Sequence, residues 1–327
     1  MIAKTFKTYI TMSNYNIFAN WNFINILSKG FDKPIAKPWS LFPILFVFFG
    51  LVAICLTGFC GVYLKKKNNS KLVDFIVFGI GILLIGLEIY HEVTRYIALG
   101  HYDFSSFPFQ FCSVPMYICI ILPFIKKQNI KMTFVYFLAI YGFIGGIFPL
   151  LFGQGQLCRW PRMIEVFRSF LWHVLILMIS IILINFYDIG SDKKTLRYFF
   201  QSFIVFFSIT VIAQILNTIL HYAGGVNYPI RPFTGPDGRE ILLNYKNVLN
   251  TPLYDPDIAS LFYISPFFQS NMPVFGKIWV KLGWIVNYIL YLFSFFLMGL
   301  IVTSSVILIK KIYYLKVTLS KEENKTV

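Results

Sequence analysis

Charge is scarce in this sequence, and negative charge scarcest of all. Asp, Glu, Lys and Arg together make up 13% of the 327 residues, with 14 acidic side chains against 29 basic ones. A water-soluble chain of this length needs a charged shell, so the shortage excludes an ordinary globular domain. Apolar residues fill the gap, at 57% of the composition and a mean hydropathy of +0.68, and lipid is the solvent that accepts them. A cysteine framework is missing as well. Cys55, Cys60, Cys112, Cys119 and Cys158 form no Cys-x-x-Cys pair, and Cys55 and Cys60 sit inside an apolar run, so no structural metal is indicated and no cofactor is expected. Residues 1–38 hold no compact apolar core followed by a small-residue cleavage site, so the first span is expected to direct insertion itself.

What is present is a series of runs long enough to cross a bilayer, which takes roughly 20 residues at 1.5 Å each. Seven stand out: Leu41 to Leu64, Leu72 to Ile97, Phe107 to Ile125, Met132 to Phe152, Phe170 to Tyr187, Tyr198 to Leu220, and Leu282 to Ile309. The third contains Pro108, Pro115 and Pro123, which predicts irregular or tilted backbone. The basic excess, a net charge of +15, falls in short clusters between these runs, a topology signal rather than a nucleic-acid patch.

Cytoplasmic loops retain Lys and Arg, and here the first, third and fifth loops do so: Lys65, Lys66, Lys67 and Lys71, then Lys126, Lys127 and Lys131, then Lys193, Lys194 and Arg197. The tail adds Lys310, Lys311 and Lys316, while Lys4, Lys7, Lys29, Lys33 and Lys37 run against the trend. The expected architecture is an all-α integral membrane protein of about seven transmembrane helices, N-terminus outside and C-terminus cytoplasmic, passing several times through the cell membrane. Residues 1–40 read as an extracytoplasmic or interfacial segment, 41–309 as the polytopic domain, and 310–327 as a basic cytoplasmic tail. The long connection at 221–281, with seven prolines and the turn Gly235-Pro236-Asp237-Gly238, reads as an extracytoplasmic loop. No internal repeat is visible.

Ionisable side chains inside spans are costly, and those present gather near one level. Glu88 and His91 are three apart in the second span, Cys112 opens the third, His173 lies near the start of the fifth, and Asn217 and His221 are four apart at the end of the sixth. The topology places all of them at the extracytoplasmic side. A thiol at a helix start, with Ser113 placed to cap and Pro115 in the first turn, feels the positive helix end and is activated further by a histidine at the same depth. Cys112 and His173 are therefore the candidate nucleophile and base, with Glu88, His91, Asn217 and His221 as orienting groups. Against this stand blander readings: a buried Cys often serves as a small hydrophobe, and a lone His often bonds only a backbone carbonyl. His91-Glu92-Val93-Thr94-Arg95 lacks the second histidine of a zinc-protease frame. Arg159, Arg162 and Arg168 are expected in the outer loop leading to His173, where guanidinium groups can fork onto phosphate or simply snorkel.

Two blocks resemble the YwaF-like membrane proteins, a family that includes the animal transmembrane protein 164. One is Phe107-Pro108-Phe109-Gln110-Phe111-Cys112-Ser113 and the other the aromatic-flanked histidine of Phe167 to His173. The resemblance implies a phospholipid acyltransferase or transacylase in which Cys112 accepts the acyl group and His173 is its partner, with phospholipid and lysophospholipid as substrates. Asn227, Tyr228, Arg231 and Pro232 match a further family segment in compressed form, which gives Arg231, and Asn227 beside it, a headgroup-binding role by resemblance. Two rival classes remain open: a transporter or channel lined by Glu88, His91, His173 and His221, and a non-catalytic scaffold in which Cys112 pairs with Cys158. The transporter reading predicts polar residues through the full bundle, yet the inner halves of the spans offer little beyond Asp74, Asn185 and Gln201.

Overall fold

The computed structural model describes residues 41–99, 111–152, 163–191, 194–223, 233–234, 240–241 and 273–326. Their architecture is helical: α1 (Leu41–Lys66), α2 (Ser70–Leu99), α3 (Val114–Ile121) with a 3₁₀ turn at Leu122–Phe124, α4 (Gln128–Tyr136), α5 (Gly142–Leu151), α6 (Met163–Phe186), α7 (Thr195–Ala223) and α8 (Pro273–Thr326). A π-turn at Phe137–Tyr141 joins α4 to α5, so that Gln128–Leu151 forms one continuous span. A two-residue antiparallel pair, Phe233–Thr234 (β1) with Glu240–Ile241 (β2), lies within the long connection. Among the described residues, six helices are long and apolar enough to cross a membrane, and α3 is a shorter apolar seventh. The chain is a multi-pass membrane protein.

Two compact units divide the chain: Met1–Ser202 with Gly299–Val327, and Phe203–Met298. In the second unit aromatic side chains make the contacts, Phe203 edge-on to Phe296 and Phe206 stacked on Phe295, each pair with ring centroids 5.0 Å apart. The first unit is organised around α6. Val166, Phe170, Val174 and Leu177 on α6 and Leu150 on α5 are buried, with Phe46, Val47 and Ile54 of α1 packed against them. The opposite face of α1 presents Leu45, Phe48, Phe49, Leu56 and Phe59, the apolar exterior that lipid covers.

Lipid tails solvate an apolar side chain as well as a neighbouring helix does, so helices associate through close packing. Small residues on both neighbours of α6 supply it. A Cβ at Gly61 of α1 would stand 3.0 Å from the Ile182 carbonyl, and one at Gly146 of α5 would press on Leu177 and lie 2.9 Å from the His173 carbonyl. Both positions therefore bring backbone onto backbone.

The lysine-rich end of this unit is tied by exposed and half-buried polar contacts. Asp188, in the left-handed region at φ 52°, accepts from Lys310 at 2.9 Å, Tyr314 at 2.6 Å and Ser191 at 2.8 Å, and pairs with Lys65 at 2.9 Å. Burial alone would raise its carboxyl pKa, but these donors outweigh that and hold it well below the usual carboxylate range. Lys131 pairs with Asp74, Thr133 donates to Gln201 at 3.1 Å, and Asn185 donates to its own helix at Ile181. The polar residues in the inner halves of the spans are thus bonded to one another or to backbone.

Candidate functional site

At the other end of the same unit, Pro149 sets the local chemistry. It sits inside α5 and has no N–H to donate to the Gly145 carbonyl four residues earlier. His173 of α6 takes that place: its Nδ1 lies 2.9 Å from the Gly145 oxygen, and because a carbonyl only accepts, Nδ1 carries the proton. In the neutral ring Nε2 is then the nitrogen with the free lone pair. Two turns closer to the lysine-rich end, the Ser180 hydroxyl donates to the Leu138 carbonyl in the π-turn at 2.8 Å. Two irregularities of the α4–α5 span are thus each answered by a polar side chain of α6.

Cys112 lies in the turn just before α3. Its carbonyl accepts from Trp172 Nε1 at 3.0 Å, and Trp172 immediately precedes His173. The preceding Phe111 is buried and lies against the bare backbone of Gly145, where a Cβ would meet the ring at 3.0 Å. The cysteine is therefore held from both sides by neighbours of the histidine's own bond. From this depth α3 carries the chain to the lysine-rich end, where α4 begins with Lys131 against Asp74. Pro115 occupies the first turn of α3 as expected, but Ser113, at the N-cap position, has helical backbone angles (φ −88°, ψ −27°) and makes no side-chain cap. The backbone is already turning before it, through 111–113, so the side chain has no extended N-cap geometry to work from.

A buried ion pair completes the cluster. Arg168 Nη1 stands 3.8 Å from Glu88 Oε2, with both side chains about nine-tenths buried. Arg168 also lies within electrostatic range of Glu165, Cys112 and Glu92, and His173 lies within range of Arg168. The sequence reading put Arg168 in a loop; it lies inside α6, whose first turns carry Glu165 and Arg168 on a buried face. Those two charges lower the local hydropathy, so the apolar run in the sequence starts only at Phe170. Glu92 enters the sequence reading only within the rejected zinc-protease frame, and Glu165 and Trp172 not at all, although they stand three residues before and four residues after Arg168, on its own face of the helix.

Residues 35–269 match the model of the TMEM164 family, a stretch covering more than half of the sequence. The chain belongs to the TMEM164 family. No curated protein matches it, and no solved structure does. The matched stretch of this family member contains α1 to α7 and with them Glu88, Cys112, Arg168 and His173; α8 lies beyond it. His91 is buried three residues after Glu88 on α2. Asn217 and His221 lie on α7 in the second unit, and their side chains are outside the described set. Arg159, Arg162, Asn227, Arg231 and Cys158 also lie outside the described residues, and with Cys158 the alternative Cys112–Cys158 pairing. Among the described residues, no group of three or more His, Cys, Asp or Glu side chains is gathered to hold a metal ion.

Proposed function

We propose that this TMEM164-family protein is a phospholipid acyltransferase or transacylase embedded in the cell membrane, with Cys112 as nucleophile and His173 as base. The observation that carries the reading is the paired anchoring of the two residues: Trp172 holds the Cys112 backbone while His173 spends Nδ1 on Gly145 and keeps Nε2 for proton transfer. A nucleophile beside a base that a third group orients is the arrangement thioester chemistry requires.

In the first half-reaction the Cys112 sulfur attacks the ester carbonyl carbon of a phospholipid and its proton passes to His173 Nε2. The carbon–oxygen ester bond then breaks, Nε2 returns the proton to the departing oxygen, and a lysophospholipid leaves behind an acyl thioester. In the second, a lysolipid hydroxyl gives its proton to Nε2 and attacks the thioester carbonyl; the sulfur leaves and recovers the proton. Water in place of the lysolipid would make the protein a lipid hydrolase. The lysine distribution supports placing this site at the extracytoplasmic side, where phospholipid is at hand as donor and soluble cytoplasmic thioesters are not. For the transporter reading, the bonding of Lys131 to Asp74, of Thr133 to Gln201 and of Asn185 to its own helix leaves little from which to build a polar path.

The test is acyl exchange between labelled phospholipid and lysophospholipid in proteoliposomes, followed by mass spectrometry. Cys112→Ala is expected to abolish exchange. His173→Gln, whose amide N–H can still donate to Gly145, is expected to lose at least a hundredfold, on the order of general-base catalysis, while keeping its thermal midpoint. Equal exchange in wild type and both variants would sink the proposal.

A further inference from the structure

None of the acyl-transfer steps above uses the Glu88–Arg168 pair, yet it is an expensive feature. Each ion buried at this depth costs several kcal/mol of lost hydration, and apolar packing would join α2 to α6 at lower cost. Its placement supplies a reason. Arg168 and Trp172 are four residues apart and share a face of α6, and Trp172 is the donor to the Cys112 carbonyl. The same guanidinium lies within electrostatic range of the Cys112 thiol.

We propose that Arg168 is a positioning residue for Cys112: Glu88 anchors the guanidinium across the α2–α6 contact, and the fixed cation within electrostatic range of the sulfur makes the thiolate its reactive form. This rests on Cys112 being the nucleophile. Among the described residues, the other titratable groups in the neighbourhood are Glu92 and His91 on α2, Glu165 and His173 on α6, and Tyr117 on α3, which interacts with Glu88 and Glu92. The carboxylates oppose a negative sulfur. Arginine alone in this set is cationic at every working pH, so removing its charge leaves the thiolate among like charges. Glu88 then has a second purpose: it fixes where the charge sits, because an unanchored arginine this close to the membrane surface can snorkel away.

The experiment is the pH dependence of Cys112 alkylation by iodoacetamide in the reduced, full-length protein in lipid nanodiscs, read peptide by peptide by mass spectrometry. Fully buried Cys119 serves as the fold control, since it stays unlabelled while the helices remain packed. Arg168→Gln is expected to raise the midpoint of Cys112 labelling by about one pH unit or more, which slows labelling about tenfold below the midpoint. Arg168→Lys keeps the charge and is expected to keep the wild-type midpoint. The double variant Glu88→Gln/Arg168→Gln leaves no unpaired charge, so it carries the test where the single variant does not fold; its midpoint is also expected to rise. An unmoved midpoint in the uncharged variants overturns the proposal. So does an equal rise in Arg168→Lys, because packing rather than charge would then be responsible. Alkylation needs no acyl acceptor: a charge-dependent midpoint in a protein that exchanges no acyl groups would overturn the acyltransferase reading and leave this assignment standing. Active exchange with an unmoved midpoint would do the reverse.

Discussion

The two ends of the α6 helix handle charge in opposite ways. At the lysine-rich end, Asp188 gathers Lys65, Lys310, Tyr314 and Ser191 in a cluster where Lys65 is 43% exposed, so water competes for the Lys65 pair and other donors share the carboxylate. At the other, Glu88 and Arg168 are both buried, and among the described residues Arg168 is the cation that Glu88 pairs with. The carboxylate of the first has several donors, whereas that of the second is paired with one cation among the described residues. Redundant surface pairs contribute little individually, whereas a buried charge that loses its partner keeps the whole desolvation cost.

The sharpest way to break this contrast is to remove one cation at each end. Arg168→Met strands Glu88 and is expected to cost about 3–5 kcal/mol of stability, read as a lowered thermal midpoint in detergent, with much of the loss recovered when Glu88→Leu is added. No recovery in the double variant would mean that the pair is not what stabilises α2 against α6. Pro149→Ala separates stability from chemistry at the site end. The new N–H at 149 competes with His173 for the Gly145 carbonyl, so the thermal midpoint is expected to hold or rise while acyl exchange falls on the order of tenfold or more, as a displaced base demands. Unchanged exchange would show that the Gly145 bond does not orient the ring.

The smallest effects belong to the lysine-rich end. Lys65→Met is expected to cost less than about 1 kcal/mol, since Lys65 is exposed and three other groups remain on Asp188. The sign of the pH dependence follows from the depressed Asp188 carboxyl. A group whose folded pKa lies below its unfolded value contributes stability above the ordinary carboxylate value of about 3.9 and loses it as pH falls further. Thermal midpoints measured between pH 5 and pH 3 should therefore decline less steeply in Asp188→Asn than in wild type. Parallel curves would remove Asp188 from the account of acid sensitivity.

Sequence alone conveyed the helical membrane architecture because hydropathy is a local property: the six long helices lie where apolar runs predicted them, and the prolines of 107–125 announced the short α3 and its 3₁₀ turn. The same measure failed at α6. Glu165 and Arg168 are charged, so a hydropathy window ends before them, while the helix continues because Arg168 finds Glu88 on another helix. That compensation is tertiary and leaves no local trace. Each candidate is tied to a neighbouring element, Cys112 through its carbonyl to Trp172 and His173 to a proline-orphaned carbonyl, and those two bonds required the packed helices. A signal did exist: Pro149 in an apolar run marks Gly145 as a carbonyl in need of a donor. The sequence cannot say which donor comes.

The π-turn at Phe137–Tyr141 also bears on how this span can change over time. Such a turn behaves as one extra residue absorbed into an α-helix. Deleting a single residue there would restore regular winding, and everything after it would rotate by about 100°. Gly145 and Gly146 would swing off α6 together, the backbone approach at 146 and the histidine's acceptor at 145 being lost in one event. Single-residue length changes in this stretch are thus far more damaging than most substitutions, and the phase of the helix, as much as its side chains, is what the site inherits.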